Sequence, residues 1–257
     1  MSKKFCRIAV DGEPTWGLVE GDQIVIIEGD LFSTHTVTKK TVPLAGARLL
    51  APVTPTKIVC VGLNYADHVK ESQSANAIPE EPVTFMKPLT ALIGPEDTIR
   101  MPLASKRVDY EGEIGVVIAK TCRKLSPEQI AENIFGVTCV NDVTARDLQK
   151  KDVQWTRGKG FDTFCPVGPY LVTDLDYLSL NVSSRLNGET RQSSNSKNMI
   201  FAIPQLVSFM NHVMTLNPGD LIVTGTPEGV GPMSDGALVE IEVEGIGILR
   251  NYAKLDS

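Results

Sequence analysis

The chain of 257 residues contains no apolar run of the roughly 18 to 20 residues that a membrane-crossing helix needs, which argues against a membrane protein. Its first ten residues, MSKKFCRIAV, carry a basic pair. They have no apolar stretch of signal-peptide length before Arg7 and Asp11 interrupt, so no export signal is expected. Positive charge is also in short supply. With 25 Lys and Arg against 31 Asp and Glu, the net charge is −6, and no basic stripe runs along the chain, which argues against a nucleic-acid partner. The five cysteines are scattered and form no C-x-x-C pair. Neither a disulfide framework nor a zinc site is suggested, and the expected compartment is reducing and cytoplasmic. There is no internal repeat, no low-complexity tract and no P-loop, since no Gly-Lys-Ser/Thr follows the glycines of VTGTPEGVGP. The chain has only three histidines.

What remains is an ordinary globular composition, 42% hydrophobic and 22% charged, with enough length for one large domain or one domain plus a small appendage. Residues 5–10, 16–20 and 23–28 are short β-rich runs separated by turn residues, and they predict a small N-terminal meander over residues 1–50. The proline-bearing stretch Pro43–Lys57 reads as a linker. From residue 57 to 257 strands dominate: KIVCVG, EIGVVIA, FGVTCV, LIVTG and a closing hairpin that turns near Glu244-Gly245. Two helices stand out. Ser126 opens SPEQIAENIFG with an S-x-x-Q capping box and Pro127 at the first helical position. IPQLVSFMNHVMTLNPG carries Leu206, Met210, Val213 and Met214 at helical spacing as a core-facing stripe, with His212 off it and on the surface.

Chemistry gathers in a few segments. In DYEGEIGVVIA, strand alternation puts Asp109, Glu111 and Glu113 on one face, opposite Tyr110, Ile114, Val116 and Ile118. This is either a wet acidic face of a half-exposed strand or a carboxylate group held together by a cation. In FGVTCVNDVTARDLQ, Asp142 falls at a strand end, where it either caps a helix or adds a further carboxylate. Arg146 and Gln149 fall three apart on the helix that follows. Carboxylates without a neighbouring histidine or thiolate make a hard, all-oxygen donor set that suits Mg²⁺ or Mn²⁺ and disfavours zinc. Lys159, between glycines in RGKGF, is either a loop lysine or a cation that reaches into a site. Thr226 and nearby backbone N–H groups can hold a carboxylate. In GLNYADHVKES, Asn64 can cap a helix start, and His68 and Glu71 share a face three apart. They make either a solvated surface pair or a catalytic one.

Taken in order, GLNYADHVKE, FMKP, DYEGEIGVVI, NDVTARDLQ, RGKGFDTFCPVGP, LNGETRQ, MIFAIPQLVSF and PGDLIVTGTPEGVGPM resemble the fumarylacetoacetate hydrolase family across nearly everything from Lys57 onward. The resemblance implies a β-dominated α+β fold, with a mixed β-roll core and a small N-terminal β domain, assembled as a homodimer. It implies Mg²⁺ or Mn²⁺ held by Glu111, Glu113 and Asp142. Arg146, Gln149, Lys159 and Thr226 then face the 2-oxo acid end of a small-molecule substrate, and His68 with Glu71 sits on a segment that orders as a lid. The set is most similar to the short acylpyruvate hydrolases, the oxaloacetate decarboxylases and the isomerases of bacterial aromatic-acid degradation, and SQSANAIPEEP is where specificity would be decided. The expected activity is C–C bond hydrolysis or decarboxylation of a 2-oxo acid through a metal-stabilised pyruvate enolate. The alternatives are isomerisation of a 2-hydroxy-dienoic diacid and a non-catalytic metal-binding homologue, although a scaffold has no need of His68, Glu71 and Lys159 together.

Overall fold

The computed structural model describes residues 2–71 and 78–256, and strands dominate them. The three N-terminal runs form the strands Lys4–Val10, Glu13–Glu20 and Gln23–Gly29, and a fourth, His35–Pro43, completes the meander. The first of them pairs antiparallel with Cys165–Val172, so the meander extends a 12-stranded sheet that runs on through Ile134–Asn141, Gly112–Ile118, Leu221–Val223, Ile58–Gly62 and the edge strand Val83–Lys87. Within the stretch expected to be a linker, Leu49 and Leu50 pair with Ile8 and Arg7. A second sheet of five strands contains the closing hairpin, Leu238–Val243 with Gly247–Leu255, which turns at Glu244-Gly245 as its sequence predicts.

Every residue of Gly112–Ile118 is buried. The strand lies between Ile134–Asn141 and Leu221–Val223, with both faces covered, which explains why it reads as a near-continuous apolar run and has no wet face. Its side chains Ile114, Val116 and Ile118 enter the main core with Ile58, Leu206 and Met210. The alternation expected from Asp109 through Glu113 does not hold, because the chain changes sheets at Glu111. Val108–Tyr110 belongs to a separate three-stranded sheet.

Of the helices, Ile203–Val213 is the longest and packs Leu206, Val207 and Met210 inward. It stops four residues before Asn217, and Val213 lies outside the stripe at 60% exposure, while His212 is exposed as expected. Pro127–Ile130 begins with Pro127 in its first turn, and Gln129 Oε1 accepts the Ser126 N–H at 3.0 Å; the Ser126 hydroxyl instead donates to Glu128. All five cysteines are buried and free. Among the described residues no helix is long and apolar enough to cross a membrane.

Candidate active site

Four central strands converge at one end of the large sheet. Gly112–Ile118 begins there, with Gly112 opposite Asn141 at the end of its antiparallel neighbour, and the parallel strands Ile58–Gly62 and Leu221–Val223 both run towards it. The segments that leave these ends carry the polar residues. Glu111 is pinned at the sheet crossover: its N–H donates to Asn141 Oδ1 at 2.9 Å, and its carbonyl accepts the Asp142 N–H at 2.9 Å. Glu111, Glu113 and Asp142 are all buried, and each brings one carboxylate oxygen within 4.8 Å of the others. Glu113 accepts the N–H of Gly225 from the loop after Leu221–Val223.

Two lysines and an arginine enter this group. The Lys159 ammonium lies 2.9 Å from Glu111 Oε2 and 2.6 Å from Asp142 Oδ2. It extends from the short helix Thr156–Lys159, which packs closely on the helix Arg146–Lys151; a Cβ on Gly158 would stand 2.9 Å from the Gln149 backbone, so only glycine permits this approach. Arg146 reaches Glu111 Oε1 and Asp109 Oδ2, and donates to Gln149 Oε1 at 2.7 Å, which makes real the pair expected from their spacing. Lys87, at the end of the edge strand, lies 2.7 Å from Asp142 Oδ1.

Electrostatics separates the carboxylates. Burial alone would raise the Glu111 carboxyl, but Lys159 and Arg146 beside it hold it well below the usual carboxylate range. Glu113 goes the other way, pushed well above that range by burial and then by the charges of Asp142 and Glu111. Burial acts to lower Lys159, yet Asp142 and Glu111 outweigh it and keep the ammonium protonated. A carboxylate cluster whose members repel one another, built of oxygen donors alone, fits a hard divalent cation, and Glu111, Glu113 and Asp142 are the residues that would hold it.

The helix Ala66–Glu71 closes one side. His68 is 6% exposed, and its Nδ1 lies 3.4 Å from Glu71 Oε2. Burial lowers the imidazole below its ordinary 6.5, and Arg146 adds to this, while Glu111 and the hydrogen bond and charge of Glu71 oppose it. Glu71 in turn accepts the Gly229 N–H at 3.0 Å, and the Gly229 carbonyl accepts the Tyr110 hydroxyl at 2.9 Å. Gly229 has φ +95°, and a Cβ there would come within 2.1 Å of the Arg191 carbonyl, so the residue is confined to glycine. The recess bounded by His68, Glu111, Arg146, Gln149, Trp155 and Lys159 has a volume of about 20 Å³, room for roughly one water.

The structure thus gathers His68, Glu111, Arg146, Gln149 and Lys159 around one recess, with Glu113 and Asp142 behind it and Glu71 bracing His68. Thr226 is placed differently: its hydroxyl donates to the Gly112 carbonyl and accepts from Gln192 Nε2, so it ties two strands together. Asn64 does not cap the helix. Its Nδ2 donates to the carbonyls of Phe201 and Thr224, and its Oδ1 accepts the Phe201 N–H, which fastens the start of the His68 segment to two distant loops. Residues 72–77, the first part of the expected specificity segment, lie outside the described residues. Lys87 is a site residue that the sequence reading missed; its one local signal is its place in FMKP.

Residues 57–253 match the family described as fumarylacetoacetate (FAA) hydrolase C-terminal, and residues 3–52 match the one described as Rv2993c-like, N-terminal. An uncharacterised protein of Methanocaldococcus jannaschii is 56% identical over 79% of this chain and 84% of its own length. Among solved structures, a 2-hydroxyhepta-2,4-diene-1,7-dioate isomerase from Mycobacterium marinum is 42% identical, with a TM-score of 0.92 over 99% of both chains. A maleylpyruvate hydrolase from Sphingobium sp. SYK-6, in complex with manganese(II) ion and pyruvate, is 29% identical, with a TM-score of 0.82 over 99% of this chain and all of its own.

Proposed function

The chain belongs to the fumarylacetoacetate hydrolase family, and from that premise we propose that it is a divalent-metal enzyme that cleaves a C–C bond of a 2-oxo acid by hydrolysis or decarboxylation. The observation that carries this reading is the buried cluster of Glu111, Glu113 and Asp142 with Lys159 lodged between two of its members. Mg²⁺ or Mn²⁺ held by these carboxylates would supply positive charge beside the oxygens of a 2-oxo acid. The similarity to a hydrolase complexed with manganese(II) and pyruvate supports both halves of the reading.

The chain's own residues divide the remaining work. Arg146, with Gln149 against it, offers donors to the substrate carboxylate. Lys159 supplies an ammonium where the enolate oxygen gains charge. With an acylpyruvate, His68 takes a proton from the water that attacks the distal carbonyl. The C–C bond then breaks, its electron pair passes to C3 of the pyruvate enolate, and that carbon is protonated to give pyruvate and a carboxylic acid. Glu71 orients the imidazole and stabilises its charged form. Oxaloacetate gives the same enolate by losing carbon dioxide and needs no attacking water.

A second reading, isomerisation of a 2-hydroxy-dienoic diacid, is favoured by the 42% identity to the isomerase and needs only that the His68–Glu71 pair move a proton between carbons. The test is turnover of acetylpyruvate, fumarylpyruvate, oxaloacetate and a dienol diacid, each with Mg²⁺, with Mn²⁺ and after chelation. Cleavage that chelation abolishes and metal restores is expected. Turnover of the dienol alone selects the isomerase, and cleavage indifferent to chelation overturns the metal reading.

A further inference from the structure

We propose that Lys87 is a positioning residue that sets both Asp142 and Lys159, an inference that rests on the reading of this site as a divalent-metal centre. Lys87 ends the edge strand Val83–Lys87, where the other four residues are exposed or half-buried and only Lys87 is buried. An inward-pointing lysine on an edge strand is also a common guard against sheet-to-sheet association, and such a guard needs no particular partners. Lys87 has three: an ion pair with Asp142 and hydrogen bonds to two backbone carbonyls. Its Nζ lies 2.7 Å from Asp142 Oδ1, 3.0 Å from the Val143 carbonyl and 2.6 Å from the Lys159 carbonyl.

Each of these partners acts on the site. By pairing with Oδ1, Lys87 holds one side of the Asp142 carboxylate and leaves Oδ2 to the Lys159 ammonium. Lys87 would therefore remain a partner of Asp142 if that carboxylate held a metal ion. By binding the Lys159 carbonyl, it fixes the end of the helix Thr156–Lys159 from which the Lys159 side chain is aimed. The same strand supplies Phe85, whose ring centroid lies 4.8 Å from Lys159 Nζ. One strand end thus orients a metal ligand, steers a catalytic lysine and provides part of its aromatic wall.

The experiment compares Mn²⁺ binding by titration calorimetry in the wild-type protein, Lys87→Met and Lys87→Gln at one pH, together with kcat and KM for oxaloacetate at saturating Mn²⁺. The Met variant is expected to bind Mn²⁺ about 10- to 100-fold more weakly, the range for partners that orient a metal's ligands. At saturating metal its loss should appear in kcat more than in KM, because Lys159 is misaimed while Arg146 and Gln149 are untouched. Ethylammonium added to Lys87→Ala should restore part of the Mn²⁺ affinity, which a purely structural defect would not allow. Should the Met variant fail to fold, the Gln variant, which keeps two N–H donors, and the amine rescue decide. Folded variants that bind Mn²⁺ as tightly as the wild type overturn the proposal while leaving the metal site intact. A wild-type protein that binds no Mn²⁺ overturns the metal reading itself, and the role of Lys87 with it.

Discussion

His68→Ala tests the reading of the site most directly. The imidazole is 6% exposed and sits in the wall of the recess, so truncation removes a buried base rather than a surface group. General-base catalysis is worth about 10² to 10⁴ in rate, or about 2.7 to 5.4 kcal/mol at 1.36 kcal/mol per decade. Hydrolysis of an acylpyruvate should fall by that factor, and oxaloacetate decarboxylation should fall less because it uses no attacking water. Burial holds His68 below 6.5, so the base is uncharged at neutral pH and kcat/KM for hydrolysis should decline only on the acid side of that value. Glu71→Gln should be milder in rate. It also removes a negative charge that raises the imidazole, so the acid limb should move to still lower pH. The assay is the pH profile of both reactions for the wild type and the two variants at saturating Mg²⁺. Full hydrolase activity in His68→Ala, or an acid limb that moves upward in Glu71→Gln, would refute the assignment.

Glu113→Gln should abolish Mg²⁺ or Mn²⁺ binding in calorimetry. Because burial, Asp142 and Glu111 all oppose a charge at this position, the metal-free variant should melt no lower than the wild type. Asn64→Ala removes three hydrogen bonds at 2.8 to 3.1 Å, worth about 3 kcal/mol at roughly 1 kcal/mol each, and should lower Tm by roughly 6 to 12 °C in a calorimetric scan. Light scattering should give twice the mass of one chain if the protein is the homodimer that its family resemblance implies, and a monomer mass at micromolar concentration would count against it.

The parts of the site that lie within one element were legible in the sequence. Arg146 and Gln149 sit one helical turn apart and do meet, and so do His68 and Glu71, because helix spacing fixes such neighbours without help from the rest of the fold. Strand alternation was a poorer guide at Asp109. The chain passes from one sheet to another at Glu111, and Asp109 ends up between Arg107 and Arg146 rather than beside Glu113. Lys87 was invisible for a different reason. Its partners lie 55 or more positions away, and only the assembled sheet shows that the last residue of an edge strand is buried against Asp142. Asn64 had a local role available as a cap, and three tertiary hydrogen bonds to Phe201 and Thr224 outcompeted it.

The contact between Glu71 and Gly229 joins two functions that enzymes often keep apart. The carboxylate that braces the imidazole is also the one fastened to the rim loop, and that loop is held in turn by Tyr110. An outward swing of the helix Ala66–Glu71, made to admit a substrate larger than one water, would break the fastening and withdraw the base in a single movement. A site opened in this way would lose its base as it admitted water, so proton transfer would be confined to the closed arrangement.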